Sequence, residues 1–565
     1  MNTELTAAAQ RAQDATFVAT CKWQALQERL PLRWPTPPDI PPCPKKTYRS
    51  HYVYRGARDL DQPATWEHVS DFDLVLRLID FDGLRPVLAQ RLGWVSARGY
   101  EPFDPLSFFL LLGWQITNHW NRTATLRHLA DARYADYAHR FGFEKGVLPT
   151  EGGVRYFLTA LGQHAEGDPI LIDEAAQLCV GEQRLNALIT QSVELIRAAG
   201  VLSTDAWSHA LICPDGMIHA AASRMDCTAV TDTCYQPTTP ETPRACPAQD
   251  KGHQGCACNT LDCASLCQHA PARDADARVV YYAGSNRPAG SPNQTTNPGS
   301  APAPRGKLFY GYRSLPLQLS DATRRFSLIL SDDFRPANER EEPSIAAQLL
   351  QLSERYPTLH VDAVAGDAAF GCDLTLRLVH DRLRARRVID LRAHETDRDK
   401  AQWPVRGYDD KGRPVCPFGY TFTANGFDAT RLRHKWVCGH ACQHGRTPCV
   451  QLPEVVYPPP REACAYLGEA HPHGEVRNIA ARFGDGSMRL VRDIPVGTPT
   501  WKAFYHRARN AVESRNATME SWDLKRLPVY GLARGKALVF QADVWLNLTT
   551  LARLVREATL ASQVT

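Results

Sequence analysis

The spacing of the apolar residues changes at Gly200, and this change restricts the chain to few architectures. Between about 66 and 197, apolar residues recur at helical spacing; before one such run, Asp104 suits an N-cap and Pro105 suits the first turn. After Gly200 the apolar runs are short and extended. The pattern therefore predicts an all-helical N-terminal domain followed by an α/β domain, in which helices flank a mixed sheet.

The runs after Gly200 predict an antiparallel meander and then a strand, helix, strand unit. The meander is predicted from Val201–Trp207, Met217–Ala222, Leu308–Leu319 and Phe326–Leu330. A helix at Ser344–Tyr356 follows, and then a strand at His360–Ala365, a helix at Leu374–Arg384 and a strand at Arg387–Leu391. Two carboxylates, Asp205 and Asp367, fall at predicted strand ends.

Cysteine-rich segments interrupt this α/β pattern. Twelve of the 17 cysteines fall into two groups, seven at 227–267 and five at 416–464, and the other five are scattered. The boundaries that follow are a Pro-rich extended arm (1–65), a helical domain (66–197), a first part of the core (198–225), a cysteine-rich insertion and linker (226–306), a second part of the core (307–400), an insertion with the second Cys/His cluster (401–500) and C-terminal helices (501–565).

The cysteine groups offer two hypotheses, Zn²⁺ sites or plain reduced loops. A large chain without an export signal favours reduced thiols over disulfides, and Zn²⁺ takes four soft ligands. The first candidate ligand set is Cys256, Cys258, Cys263 and Cys267, beside His253 and His269. The second set is Cys416, Cys438, Cys442 and Cys449, beside His440 and His444.

The overall charge does not indicate a partner, but one segment is basic. Lys and Arg outnumber Asp and Glu by only 65 to 61. Between Lys502 and Lys536, eight basic residues stand against three acids, which suits a phosphate backbone or, alternatively, a solvated amphipathic helix. The N-terminus lacks the pattern of an export signal, and no apolar run is long enough for a membrane span, so a cytoplasmic protein is expected.

Three carboxylates form the candidate catalytic set. Asp205 and Asp367 are predicted at strand ends, and Glu513 lies in a helical stretch where it shares a face with Tyr505 and Arg509. Carboxylates from two strands and a helix can hold two Mg²⁺ ions, or Mn²⁺, that also take phosphate oxygens and water as ligands.

These blocks resemble the DDE transposases of bacterial insertion sequences, over nearly all of 66–555. The resemblance rests on Leu202-Ser-Thr-Asp205 with Asp215-Gly216, on Ala363-Val-Ala-Gly-Asp367-Ala-Ala-Phe-Gly371, and on Tyr505-His-Arg-Ala-Arg509-Asn-Ala-Val-Glu513-Ser-Arg515. Gly311-Tyr312-Arg313 and Ala337-Asn338-Glu339 resemble the blocks before the second Asp. The resemblance implies an RNase H-like core with an N-terminal helical DNA-binding domain.

The resemblance also implies the reaction and the partners. The expected reaction nicks element ends by metal-dependent phosphoryl transfer and joins the freed 3′-hydroxyl to target DNA. Expected partners are duplex DNA with terminal inverted repeats, target DNA and a second copy of the chain, at the nucleoid and away from membranes. The DNA contacts expected from the basic segment are Tyr505, Arg507, Arg509, Arg515, Lys525 and Arg526. The alternatives are an RNase H-like nuclease without strand transfer and a transposase-derived, zinc-dependent repressor.

Overall fold

The computed structural model describes most of the chain outside the first cysteine-rich insertion. The described residues are 25–37, 40, 48–56, 66, 68–93, 101–144, 147–223, 274–282, 307–321, 326–390, 413–428, 431, 433–449, 451–453, 455–460, 464, 476–480, 482, 488, 494 and 499–563. The predicted zinc ligands Cys256, Cys258, Cys263 and Cys267 lie outside these residues.

The helices, in chain order, are α1 (Asp71–Leu78), α2 (Leu84–Arg91), α3 (Pro105–Thr117), α4 (Arg122–Ala130), α5 (Ala135–Arg140), α6 (Glu151–Gln163), α7 (Asn186–Ala199), α8 (Thr204–Ser208), α9 (Glu341–Arg355), α10 (Asp373–Arg377), α11 (Pro499–Ser521) and α12 (Leu532–Gln563). The strands are β1 (Leu32–Arg33), β2 (Ile79–Asp80), β3 (Glu166–Asp173), β4 (Leu178–Gln183), β5 (Ala210–Pro214), β6 (Met217–Ala220), β7 (Arg278–Tyr282), β8 (Lys307–Ser314), β9 (Leu317–Asp321), β10 (Phe326–Ser331), β11 (Phe334–Pro336), β12 (Val361–Gly366), β13 (Arg386–Ile389), β14 (Thr423–Asp428), β15 (Arg433–Val437) and β16 (Val476–Ala480).

The central sheet contains five strands in the order β10, β9, β5, β12, β13. Strands β10, β9 and β5 are antiparallel neighbours, whereas β12 and β13 run parallel to β5. Successive side chains of a strand point to opposite sides, so the buried strands of this sheet have two apolar faces. Helices cover both faces. Leu211, Ala363 and Val388 pack under α11, while Ile212 and Val364 belong to the main core on the other side. This confirms the predicted mixed α/β class.

The predicted single meander is divided between two sheets. Chain direction changes at Leu315 and Pro316, so that β8 joins an antiparallel sheet with β6, β7 and β11, and β9 joins the central sheet. The predicted run Leu308–Leu319 therefore contains two strands that belong to different sheets.

The helical region shares its core with the C-terminal helix α12. Trp545 of α12 is fully buried and packs against Phe72, Phe81 and Phe109 of the N-terminal region. Gly113 makes this approach possible, because a Cβ there would lie 1.9 Å from the Trp545 ring. The predicted boundary at 197 therefore separates two patterns of secondary structure within one continuous hydrophobic core.

Local signals placed several helices correctly. Asp104 accepts a hydrogen bond from the Leu106 amide at the start of α3, and Thr150 does the same for Gly153 at the start of α6. The described parts of the Pro-rich arm pack on the helical region, where Trp34 and Tyr52 are buried and β1 pairs with β2.

Two local predictions are wrong. The run Val201–Trp207 is not a strand, because Ser203 accepts a hydrogen bond from the Ala206 amide and starts helix α8. The region 66–197 is not entirely helical, since β3 and β4 form an antiparallel hairpin between α6 and α7. None of the described helices combines the length and apolar character that a membrane span requires.

Candidate active site

Strands β5 and β12 bring two aspartates together at one edge of the central sheet. Val364 pairs with Ile212 in parallel register, so continuing the register places Asp367 beside Asp215. A Cβ on Gly366 would lie 3.4 Å from Pro214 Cγ, which supports this alignment just before the two acids. Both aspartates line one surface depression, formed by Pro214, Asp215, Ala365, Gly366, Asp367, Tyr505, Ala508, Arg509 and Val512.

Strand β13 adds a third carboxylate to this row. Ile389 pairs with Gly366, which places Asp390 next to Asp367, and the Asp390 amide donates to the Gly366 carbonyl. The three aspartates thus follow the carboxyl ends of three adjacent parallel strands.

A fourth acid, Glu341, approaches from the first turn of α9. Its Oε1 atom would lie 3.2 Å from a Cβ on Gly216, the residue after Asp215, and it forms a 2.8 Å ion pair with Arg313. Burial raises the pKa of Glu341 to about 7, and the charges of Asp367 and Asp215 add to the shift against the opposing effect of Arg313.

Burial and neighbouring charges shift the pKa values of both aspartates. Burial raises the pKa of Asp215 to about 6, and the charge of Asp367 contributes in the same direction. Burial likewise raises the pKa of Asp367, aided by Asp390 and opposed by the amide of Ala369 and by Arg509. Crowded, partly desolvated carboxylates of this kind are stabilised in their charged form by a bound cation.

Helix α11 crosses this edge and contributes the cationic side of the depression. The Arg509 guanidinium donates to Glu513 Oε1 at 2.9 Å. Burial lowers the pKa of Arg509, but the hydrogen bond to Glu513 and the charge of Asp215 outweigh it and raise the pKa overall. Glu513 itself is 60% exposed and adjoins the acidic row through Arg509. Asn516, one turn further on, approaches Asp215 at 3.4 Å.

Asp205 does not join this site. It lies in α8 before the amino end of β5, where the carbonyl of the nearby Trp207 accepts from the His360 amide, just before β12. Asp367 follows the opposite end of β12, and six strand residues at about 3.3 Å each separate the two ends by roughly 20 Å. Two bridged metal ions cannot span that distance. The predicted convergence is therefore not observed for Asp205, and Asp215 stands in the position expected of it.

The structure also assigns Arg515 differently. Its side chain is fully buried and forms ion pairs with Asp332 at 3.1 Å and with Asp543 at 2.9 Å. Ser314 accepts a further hydrogen bond at 3.1 Å. An arginine enclosed in this way is not available for DNA, so the predicted contact is replaced by a structural role.

The other predicted DNA contacts are more accessible. Tyr505 stacks on Trp501 with ring centroids 4.2 Å apart and remains half-buried in the depression. Arg507 is half-buried near the Phe504 ring. Lys525 and Arg526 are exposed at the bend after α11, where Arg526 donates to the Ala222 carbonyl.

Sequence reasoning missed Asp215, Glu341 and Asp390 as members of the acidic group. Asp215 and Asp390 each follow a short apolar run, a pattern that could have identified them. Glu341 has no comparable local signal, since only tertiary structure brings α9 to Gly216. Among the described residues, no group of three or more His, Cys, Asp or Glu side chains already stands in a geometry that would hold a metal ion.

Comparison of the chain with protein-family models, with curated proteins and with solved structures finds no match.

Proposed function

We propose that this chain is a DDE-type DNA transposase whose metal-binding acids are Asp215, Asp367 and Glu513. The observation that carries the proposal is the pair Asp215 and Asp367, side by side at the carboxyl ends of adjacent parallel strands and lining one depression. Glu513 completes the set from α11, the helix that covers this edge. Asp390 and Glu341 add negative charge around them.

The topology supports an RNase H-like core. Three antiparallel strands are continued by two strands parallel to β5, and helices lie on both faces. The first acid follows the central strand β5, and the second follows its parallel neighbour β12. This placement agrees with the sequence blocks of the DDE family at Asp215-Gly216 and at Asp367.

The carboxylates fit Mg²⁺ or Mn²⁺. Hard divalent cations prefer oxygen ligands, and they keep water and substrate oxygens in the remaining positions. Burial raises the pKa of Asp215 and of Glu341, and neighbouring carboxylates add to both shifts, so a bound cation would favour the charged form of each group. When bound, a metal pair would activate the attacking oxygen and stabilise the leaving oxygen of a phosphodiester. Ligation by Glu513 requires it to exchange its contact with Arg509, which is then free to pair with a phosphate.

The proposed substrate is duplex DNA bound along α11 and the bend that follows it. Arg509, Lys525 and Arg526 present exposed cations there, and cations position a phosphate backbone without reading its sequence. A homodimer acting on two element ends is part of the same proposal.

The experiment uses labelled duplexes that carry the inverted repeats flanking the gene, with Mg²⁺ or Mn²⁺. Asp215→Asn and Asp367→Asn should each abolish cleavage while binding of the duplex persists. Asp205→Asn is the matched control, since it is the same substitution and removes the same charge at the other end of the sheet. This variant should keep wild-type cleavage. Loss of cleavage in Asp205→Asn together with its persistence in Asp215→Asn would overturn the assignment.

Products distinguish the candidate functions. A transposase joins the cleaved 3′ end to a second duplex, whereas a nuclease releases it. Labelled strand-transfer products therefore support transposition, and cleavage without them leaves the nuclease. Duplex binding without cleavage by the wild-type protein would favour the repressor.

A further inference from the structure

Two arginines approach one aromatic ring, that of Phe504 on helix α11. The guanidinium carbon of Arg386, in β13, lies 5.8 Å from the centre of the Phe504 ring, and that of Arg507 lies 6.0 Å from it. Both distances fall within the range of a cation–π contact, in which the ring attracts the cation. Phe504 and Arg507 are three residues apart in the helix, so they share a face of α11. The arrangement brings two positive charges to one place.

The position of Arg386 in β13 explains why it meets α11. Arg386 pairs with Ala363 and shares a face of the strand with Val388, and the latter two side chains pack under α11. Arg387, whose side chain points to the other face, is fully buried. Strand β13 is the last strand of the central sheet on this side, and Arg386 is exposed. The strand therefore presents Arg386 beside the helix, at the rim of the apolar layer.

Within the described part of the chain, no acid pairs with either arginine. The side chains of Arg386 and Arg507 form neither an ion pair nor a hydrogen bond there, and the buried Nε atom of Arg507 has no acceptor. Arg509, two positions further along α11, differs because its guanidinium is paired with Glu513. Two neighbouring cations without an acid repel each other, and anions bound beside them offset that repulsion.

The segment before Arg386 extends this basic surface. Arg382 and Arg384 are exposed, and the segment 382–386 contains no acid. Arg382 reaches Glu354 only at 3.8 Å. Arg384 has a φ of 54°, in the left-handed region that glycine adopts at lower cost. A charged side chain at a position where the backbone favours glycine points to a use for that side chain.

The distance from this surface to the acidic row can be read along β13. Arg386 precedes Asp390 by four positions, which at about 3.3 Å each separate the two residues by roughly 13 Å. Phosphates of one DNA strand are spaced by about 3.4 Å along the helix axis. A duplex that runs along β13 with its scissile phosphate at the acidic row therefore brings phosphates about four base pairs away to the two arginines.

We propose that Arg386 and Arg507, supported by Arg384, bind neighbouring phosphates of DNA about four base pairs from the bond that is cut. This inference rests on the proposed transposase function and gives it a second contact surface, at the β13 edge. Arginine suits the role, because its planar guanidinium binds phosphate through parallel hydrogen bonds and also stacks on aromatic rings. Such contacts position a duplex without reading its sequence, so the surface accepts the element end or the target.

The first test measures the salt dependence of duplex binding by the full-length protein without a divalent metal. Arg386→Gln and Arg507→Gln should each lower the slope of log binding constant against log salt by about 0.9, and the double variant by about 1.8. Arg386→Lys keeps the charge and should recover the slope. The matched control is Arg197→Gln, since Arg197 lies 4.3 Å from the Trp207 ring but is paired with Glu194. This control should bind like the wild type.

Neutral methylphosphonate groups, placed one at a time, locate the contact. In the element end, a group about four base pairs from the cleavage site should weaken binding by the wild type and have no further effect on Arg386→Gln. An effect found only in a target duplex, measured by strand transfer, assigns the surface to target DNA. Unchanged slopes in both single variants, or a scan that affects wild type and Arg386→Gln alike at every position, would overturn the proposal.

Slopes and cleavage together separate this surface from the proposed function. Unchanged slopes beside metal-dependent cleavage by the wild type contradict the surface and leave the transposase. Lowered slopes without cleavage by the wild type support the surface and contradict the transposase. A wild type that binds no duplex contradicts both.

Discussion

In helix α11, Arg509 and Arg515 lie six positions apart and pair with carboxylates in opposite settings. Arg515 is fully buried between Asp332 and Asp543, and its remaining donors reach neighbours such as Ser314. Arg509 has a side chain 48% exposed, and it lies between Glu513 and the acidic row at the sheet edge. The two clusters both combine an arginine with carboxylates, but the cluster around Arg515 is enclosed and the cluster around Arg509 is accessible to solvent. Enclosure makes the first a structural element, and access to solvent leaves the second able to exchange partners.

Removing each arginine should separate the two roles most clearly. Arg515→Met leaves Asp332 and Asp543 buried without their cation, so the free energy of unfolding should fall by about 3–5 kcal/mol. Arg509→Met, the matched control, should cost less than about 1 kcal/mol because its ion pair is exposed. Urea denaturation measures both values. Similar losses in the two variants would show that the clusters do not differ in this way.

The solvent-accessible cluster of Asp215, Asp367 and Arg509 (the open cluster) should be under electrostatic stress. Burial and Asp367 raise the pKa of Asp215 to about 6, so the folded protein binds this proton more tightly than the unfolded chain does. Above pH 6 the charged carboxylate therefore destabilises the fold, and below about pH 4 the effect disappears. Asp215→Asn should stabilise the metal-free protein by roughly 1–3 kcal/mol at pH 7.5.

Thermal and urea unfolding of Asp215→Asn and wild type across pH 4–8 checks this expectation. The advantage of the variant should shrink as the pH falls through 6. A variant less stable than wild type at pH 7.5 would mean that the carboxylate supports the fold.

Divalent cations should stabilise the protein only when the acids of the open cluster are intact. At ten times its dissociation constant, Mn²⁺ should add about 1.4 kcal/mol to the stability of the wild type and of Asp205→Asn, and almost nothing to Asp215→Asn. The gain should fall as the pH drops from about 7 to 6, because Glu341 and Asp215 then take up protons. Melting curves with and without Mn²⁺ provide the measurement. Equal stabilisation of all three proteins would place the metal elsewhere.

The smallest expected effect concerns the proposed phosphate contact of Arg509. Arg509→Ala should reduce the slope of log binding constant against log salt by about 0.9, the value for one phosphate contact. Arg197→Ala is the control, since Arg197 pairs with Glu194 and reaches Thr358 near the other end of the central sheet. Titration of labelled duplex at several salt concentrations gives the slopes. An unchanged slope for Arg509→Ala would assign Arg509 to its ion pair with Glu513.

Local sequence determined the elements wherever one interaction between near neighbours decides the outcome. Asp104 and Thr150 start helices because a side-chain oxygen accepts an amide hydrogen bond two or three residues away. The apolar runs of β10, β12 and β13 identified strands of the central sheet for a similar reason, since alternation and length are read within a few residues. The same kind of signal failed at Val201–Trp207, where the capping residue Ser203 outweighed an apolar pattern.

The sequence partly predicts the role of Arg515. Trp501, Ala508, Val512 and Met519 repeat at helical spacing, and Arg515 lies in the same stripe, which is the buried face of α11. The sequence shows that this position is inside, but it does not show that Asp332 and Asp543 neutralise the charge there. Those acids come from other parts of the chain, so only the fold could supply them.

Tertiary structure alone decided which carboxylates meet. Asp205 and Asp215 are ten positions apart, and in the sequence both are acids near short apolar runs. Strand β5 lies between them, so they are located at opposite ends of that strand. The parallel pairing of β5, β12 and β13 then aligns Asp215, Asp367 and Asp390, although each comes from a different segment. Sequence thus determined the kinds of residue and their local structure. Strand direction and register decided the site, because they set distances between residues far apart in the chain.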